Sequence, residues 1–336
     1  MCSSKNILLS LLICFASCSK SQKEDNGLDL LREKKIVERI EIDLLGLNRQ
    51  IVYLKEHFEY LLINQDSLLQ NADTEKYKFA DGYSTNTPAD SSDLSSLVIF
   101  DSTPDYQKTL EQVYLTNGMD SVFKEVYSQN QLIAQVYFNS AAQLSRVYPA
   151  YDAKALLDNE LDLTGFNFFY EGDLTHNPEK GPRWISEVYL DPAGKGWTLS
   201  LVQPVYFQDE LYTVIGIDVT VDKLINTYLE KKDGSLLLVN NKGDIVGGKA
   251  SSIEALSFPP LLNHVYRETI QSDRFRLSDF NLYNSKNKEV RDMGRAFIQE
   301  GKNEFYFKDE FSPEKAFALH LKLLDWYLVE IIERPV

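Results

Sequence analysis

Basic residues are in short supply. Lysine and arginine number 35 against 50 aspartates and glutamates, a formal net charge of −15. A chain of that sign carries no electrostatic footprint for nucleic acid and no basic patch for anionic lipid. Cysteine is scarcer: Cys2, Cys14 and Cys18 all lie in the first 18 residues, so the body of the chain has no disulfide framework. The four histidines, His57, His176, His264 and His320, stand far apart. None has a second histidine or cysteine three or four residues away, and no zinc site is expected. There is no P-loop, no G-x-G-x-x-G before a helix and no G-x-S-x-G. Gly194-Lys195-Gly196 reads as a turn, and Asp158 with Glu160 as surface carboxylates. With no nucleophile beside a base, we expect neither an enzyme nor a cofactor. After residue 18, no apolar run approaches the about 20 residues that cross a bilayer.

What is present begins with Lys5 and the run Ile7-Leu8-Leu9-Ser10-Leu11-Leu12-Ile13, too short to span a membrane and suited to an export signal. Ala16-Ser17-Cys18 resembles a lipoprotein cleavage site, with Phe15 where leucine is usual. That resemblance implies a signal peptide over residues 1–17, a lipid on Cys18 and an exported, membrane-anchored chain facing periplasm or cell surface. A plain secretory signal is the alternative. Residues 18–27 are polar and read as a tether.

From Leu28 to about residue 72 the pattern is helical. Ile36, Ile40, Leu44, Leu47, Ile51, Leu54, Phe58 and Leu61 recur at steps of three and four, one stripe of a rod about 60 Å long. Such a stripe fits either a rod beside two stacked modules or a coiled-coil dimer. The 336 residues leave room for two domains. Strand-like runs at 97–100, 132–138, 184–190, 197–205 and 211–221, with a helical stretch at 105–129 broken near Asn117-Gly118, fill a first module over 73–230. Runs at 235–239, 244–246, 304–308, 315–321 and 326–332, with helical stretches at 259–267 and 273–280, fill a second over 231–336. The order of elements repeats while the sequence does not, which predicts two α+β modules in tandem.

The informative strand is Leu211 to Val221. Ile215, Ile217, Val219 and Val221 share one face; Val214, Gly216, Asp218 and Thr220 share the other. Asp218 is a carboxylate in an apolar strand beside a residue without a side chain, and a buried carboxylate requires a cation, a hydrogen-bond donor or a proton. Tyr189 and Asp191 can approach the same space by parity, whereas Trp184 needs a bulge to do so. Rings with carboxylates suit an ammonium group. The plainer reading makes Trp184 and Tyr189 core aromatics and Asp218 a local cap. Arg146 and Tyr148, between strand and meander, are candidates for the pocket lining, Arg146 for any carboxylate contact; Tyr137 and Asn139 share a strand face and are further candidates.

The pattern W…Y-L-D-P-x-G-x-G-W, then P-V-Y, then V-I-G-I-D-V-T, resembles the membrane-distal half of a double Cache (dCache) sensor domain. That resemblance implies an α+β fold in which a long N-terminal helix carries two PAS-like modules with antiparallel sheets. In many members the distal module binds an amino acid or amine. The family's site residues fall on Trp184, Tyr189, Asp191 and Asp218. Pro182 stands where the amino-acid-binding pattern has an arginine, and Ile185 where it has a second aromatic. The amine-recognising half of the site is therefore the more intact, and the ligand expected is an amine or amino acid. As no apolar segment adjoins Val336, the expectation is a signal passed by contact to a separate membrane protein. The rival expectation is a surface interaction lipoprotein that uses the scaffold without a small-molecule ligand.

Overall fold

The computed structural model describes residues 22–79, 83, 85, 87–191, 193–258 and 277–335. Cys18, the leader before it and the expected helix at 259–267 lie outside them. Helix α1 runs Gln22–Ile63, so it begins ahead of Leu28 and takes in residues 22–27, expected as tether. A short helix α2 (Gln65–Gln70) continues it after Asn64. All eight stripe residues from Ile36 to Leu61 are buried, and α1 packs across strands of both sheets. The stripe is thus used within the chain, as a rod beside two modules requires.

The first sheet has seven strands: β1 (Ser96–Ile99), β2 (Ile133–Ser140), β3 (Leu144–Tyr148), β4 (Arg183–Trp184), β5 (Tyr189–Leu190), β6 (Trp197–Phe207) and β7 (Glu210–Thr220). They are ordered β1-β3-β2-β7-β6-β4, with β5 also on β6, and all pairs are antiparallel. The β6–β7 turn is Gln208-Asp209, with φ of 52° and 64°, the sense that a two-residue hairpin loop needs. The stretch holding Arg146 and Tyr148 is itself a strand, β3, in a hairpin with β2. The expected strand 184–190 is divided into β4 and β5. The second sheet, β8 (Ser235–Asn240), β9 (Ile245–Gly248), β10 (Glu304–Tyr306), β11 (Lys315–Leu321) and β12 (Trp326–Ile332), is ordered β10-β11-β12-β8-β9.

One apolar core joins α1 to both sheets: it includes Ile51, Phe138 and Leu201 as well as Leu238, Trp326 and Leu328. At the lower end of the rod, Arg32 pairs with buried Glu330 of β12. The first sheet is covered on both faces. One face meets α1, α3 (Tyr106–Leu115) and α4 (Met119–Gln129), the helical stretch broken at 116–118 as its Asn-Gly predicts. The other lies beneath a roof of short turns that includes α5 (Ala153–Leu156) and α6 (Asn167–Tyr170). Asp152 caps α5 by accepting the Ala155 N–H at 3.2 Å.

Candidate ligand-binding site

Alternation along β7 divides its side chains as the pattern predicts. Ile215, Ile217 and Val219 join the core beneath α1, while Val214 joins the apolar cluster under the roof. Asp218 on that second face is fully buried. Beside it lies a cavity of about 50 Å³, lined by Gln135, Tyr137 and Asn139 of β2, by Tyr189, Asp191 and Asp218, and by roof residues including Leu161 and Phe168. At about 10–15 Å³ of such space for one water, it has room for a few waters.

The hydrogen bonds run one way. Gln135 Nε2 donates to Asp218 Oδ2 at 2.7 Å, and Ser200 Oγ donates to Asp218 Oδ1 at 2.6 Å. With its hydrogen committed to Asp218 when that carboxyl is ionised, Ser200 then accepts from the Tyr189 hydroxyl, 2.8 Å away. Asp191 accepts the backbone N–H groups of Ala193 and Lys195 at 3.2 and 3.1 Å. Gln135 Oε1 and Asn139 Oδ1 are buried without a partner, and the Tyr137 hydroxyl, donor as well as acceptor, stands among Asp218, Tyr189 and Ser200. The cavity therefore offers two uncommitted amide oxygens and two carboxylates met only by neutral donors, and among the described residues no lysine or arginine lines it. Burial, followed by the charge of Asp191, pushes the Asp218 carboxyl up to about 7; burial also raises Asp191.

Rings close the space. Phe168 stands edge-on to Tyr137, centroids 6.2 Å apart, and tilted against Tyr189 at 6.1 Å. The room above Gly216 is not part of the cavity: a Cβ there would lie 2.0 Å from Cζ of Tyr137, whose ring occupies it.

Of the residues expected at the site, Tyr137, Tyr189, Asp191 and Asp218 come together. Three do not. Trp184 lies on the opposite face, as its parity required, in the core with α1 and donating to Asn48 at 2.9 Å. Arg146 also faces away and is fully buried. It pairs with Asp120 at 2.7 Å, donates to the Val113 carbonyl and Thr116, and lies over the Tyr77 ring. Tyr148 shares that face and donates to the Ser92 carbonyl at 2.9 Å. Residues missed were Gln135, Ser200, Tyr151 and Phe168. The first was within reach, since Gln135, Tyr137 and Asn139 alternate on one strand face. Among the described residues, no group of three or more His, Cys, Asp or Glu side chains could hold a metal ion, and no helix is long and apolar enough to cross a membrane.

No family model and no curated protein matches this sequence. Among solved structures, the chain is similar to the ligand-binding domain of the Pseudomonas fluorescens chemoreceptor CtaA in complex with L-isoleucine. The two are 12% identical over 94% of this chain and 96% of that one, with a TM-score of 0.50. The fold is that of a chemoreceptor sensor domain. A looser likeness, TM-score 0.42 at 12% identity over 90% of this chain and 92% of the other, links it to the ligand-binding domain of the Campylobacter jejuni chemoreceptor Tlp3 in complex with L-norvaline. In this sensor-domain fold, α1 and two antiparallel units are the architecture that the Cache resemblance implied.

Proposed function

We propose that the chain is an extracytoplasmic sensor or binding protein for a small amine, received in the cavity beside Asp218. One observation carries this reading: two buried carboxylates share the cavity with two unpartnered amide oxygens, and the donors that reach the carboxylates are all neutral. An ammonium group brings three N–H donors and a positive charge and has no acceptor of its own. Tyr137, Phe168 and Tyr189 offer ring surface to the same cation. An amino acid fits less well, because among the described residues no lysine or arginine side chain lines the cavity to meet its carboxylate. A well-filled distal module would favour a scaffold with no small-molecule ligand, and the space beside Asp218 favours the ligand reading.

The leader pattern and Cys18 support a lipid anchor, and the reading then has residues 73–230 carry the ligand and 231–336 connect it to a separate membrane protein. The ligand assignment is tested by thermal shift with methylammonium, propylammonium, glycine and acetate. The alkylammonium salts should raise Tm, acetate should not, and Asp218→Asn should remove the rise. Absence of any shift with either cation, or a shift that survives in Asp218→Asn, defeats the assignment.

A further inference from the structure

Asp191 and Asp218 line one cavity, and among the described residues no lysine or arginine meets Asp218, whose neighbours are the neutral Gln135 amide and the Ser200 and Tyr137 hydroxyls. Two ionised carboxylates buried about one cavity repel each other and lack full solvation. We propose that the site is a cation exchanger: without a guest, Asp191 and Asp218 hold one proton between them, and an ammonium ion entering the cavity expels it. This rests on the amine reading and adds its regulation, since the site then reports amine and pH together. The exchange balances. One carboxyl O–H bond breaks and its proton passes to water, while the guest enters as R–NH₃⁺ with its own protons intact. The site carries a charge of −1 before and after.

The groups facing the pair leave no other source of a proton near neutrality. From β2 come Gln135 and Tyr137, from β6 Ser200, from β5 Tyr189 and from the roof side Tyr151. Burial holds all three phenols above their ordinary value, so they stay neutral. Lys195, half-buried on the turn after β5, is the cation that acts on Asp191, and its pull is outweighed by burial, which leaves that carboxyl raised. Burial and mutual repulsion together put the pair's last ionisation near neutral pH.

The test uses the whole protein and propylammonium chloride. Infrared spectra of the ligand-free protein at pH 6 should show a protonated-carboxyl band that is absent in Asp218→Asn and disappears when propylammonium is added. Calorimetric titrations at pH 6 in buffers of different ionisation heat should show close to one proton released per guest, and almost none at pH 8. Binding should be about tenfold tighter at pH 8 than at pH 6, following the fraction of the pair already deprotonated. Asp191→Asn should lower the proton release at pH 6. The proposal is overturned if no such band is present at pH 6, or if propylammonium binds with the same heat in every buffer. In the second case the amine reading stands and only the exchange is lost. A band present with no binding of propylammonium keeps the shared proton, removes the exchange, and counts against the amine reading separately.

Discussion

At position 216 a methyl group has no room. The ring of Tyr137 crosses β7 directly over the glycine, so that a Cβ would fall 2.0 Å from Cζ and 2.4 Å from the hydroxyl. Tyr137 is thereby held flat beside Asp218, with Phe168 edge-on above it. Gly216→Ala should push the ring into the cavity or off the strand. Overpacking of this kind costs about 1–3 kcal/mol, and denaturant titration should show that loss while the amine-induced thermal shift shrinks or vanishes. At this scale the sequence was partly legible. Strand parity was enough to bury Asp218 and to place Tyr189 and Asp191 with it, and parity also set Trp184 apart, where the family resemblance had included it. It did not reveal that the gap over Gly216 would be filled from β2, because that depends on the Tyr137-to-Gly216 register across two strands. Nor did it reveal the fate of Arg146. A single strand's pattern does not say which face will meet Asp120.

Among the elements, α1 shows how a strict spacing translates into burial. Ile51 is fully buried and Ile42, nine residues earlier on the same helix, is 61% exposed. Ile51→Ala should cost about 2–5 kcal/mol of unfolding free energy, whereas Ile42→Ala should stay within about 0.5 kcal/mol. Chemical denaturation of the two variants checks the contrast. The helix was legible because eight apolar residues kept a step of three or four for 26 residues from Ile36 to Leu61. The roof was not. Residues 152–170 are turns and single-turn helices held by local side-chain caps, among them Asp152 on Ala155 and Asp162 on Thr164, and by Gln143, which donates to Asp162 and accepts the Leu163 N–H. Such segments have no period, so Phe168 gave no signal of its place over the site.

For the whole molecule, the ionisation of one buried group becomes a stability profile. The folded state holds the Asp218 proton more tightly than the unfolded chain, up to about 7 against an ordinary 3.8. Its contribution is therefore complete below pH 3.8 and is lost as pH rises to about 7, the reverse of a salt-bridged carboxylate. Asp218→Asn should remove that slope, so the difference in unfolding free energy between variant and ligand-free wild type should grow in the variant's favour between pH 4 and 7. It should amount to a few kcal/mol, on the order of 1.4 for each unit of displacement, and level off above pH 7. A difference that stays flat over this range would mean that Asp218 is ionised throughout. Asp120, by contrast, is held below its ordinary value by Arg146 and Lys76 despite burial, and acid should weaken its network.

Because a single stripe of α1 is shared by two sheets, neither sheet owns the interior it rests on. The rod works as a common spine, joined there by residues 221–229, which follow β7 and pack on both sheets. Under the proposed reading, an occupied cavity would be felt at the second sheet through the bodies that both sheets share, the rod and the segment after β7.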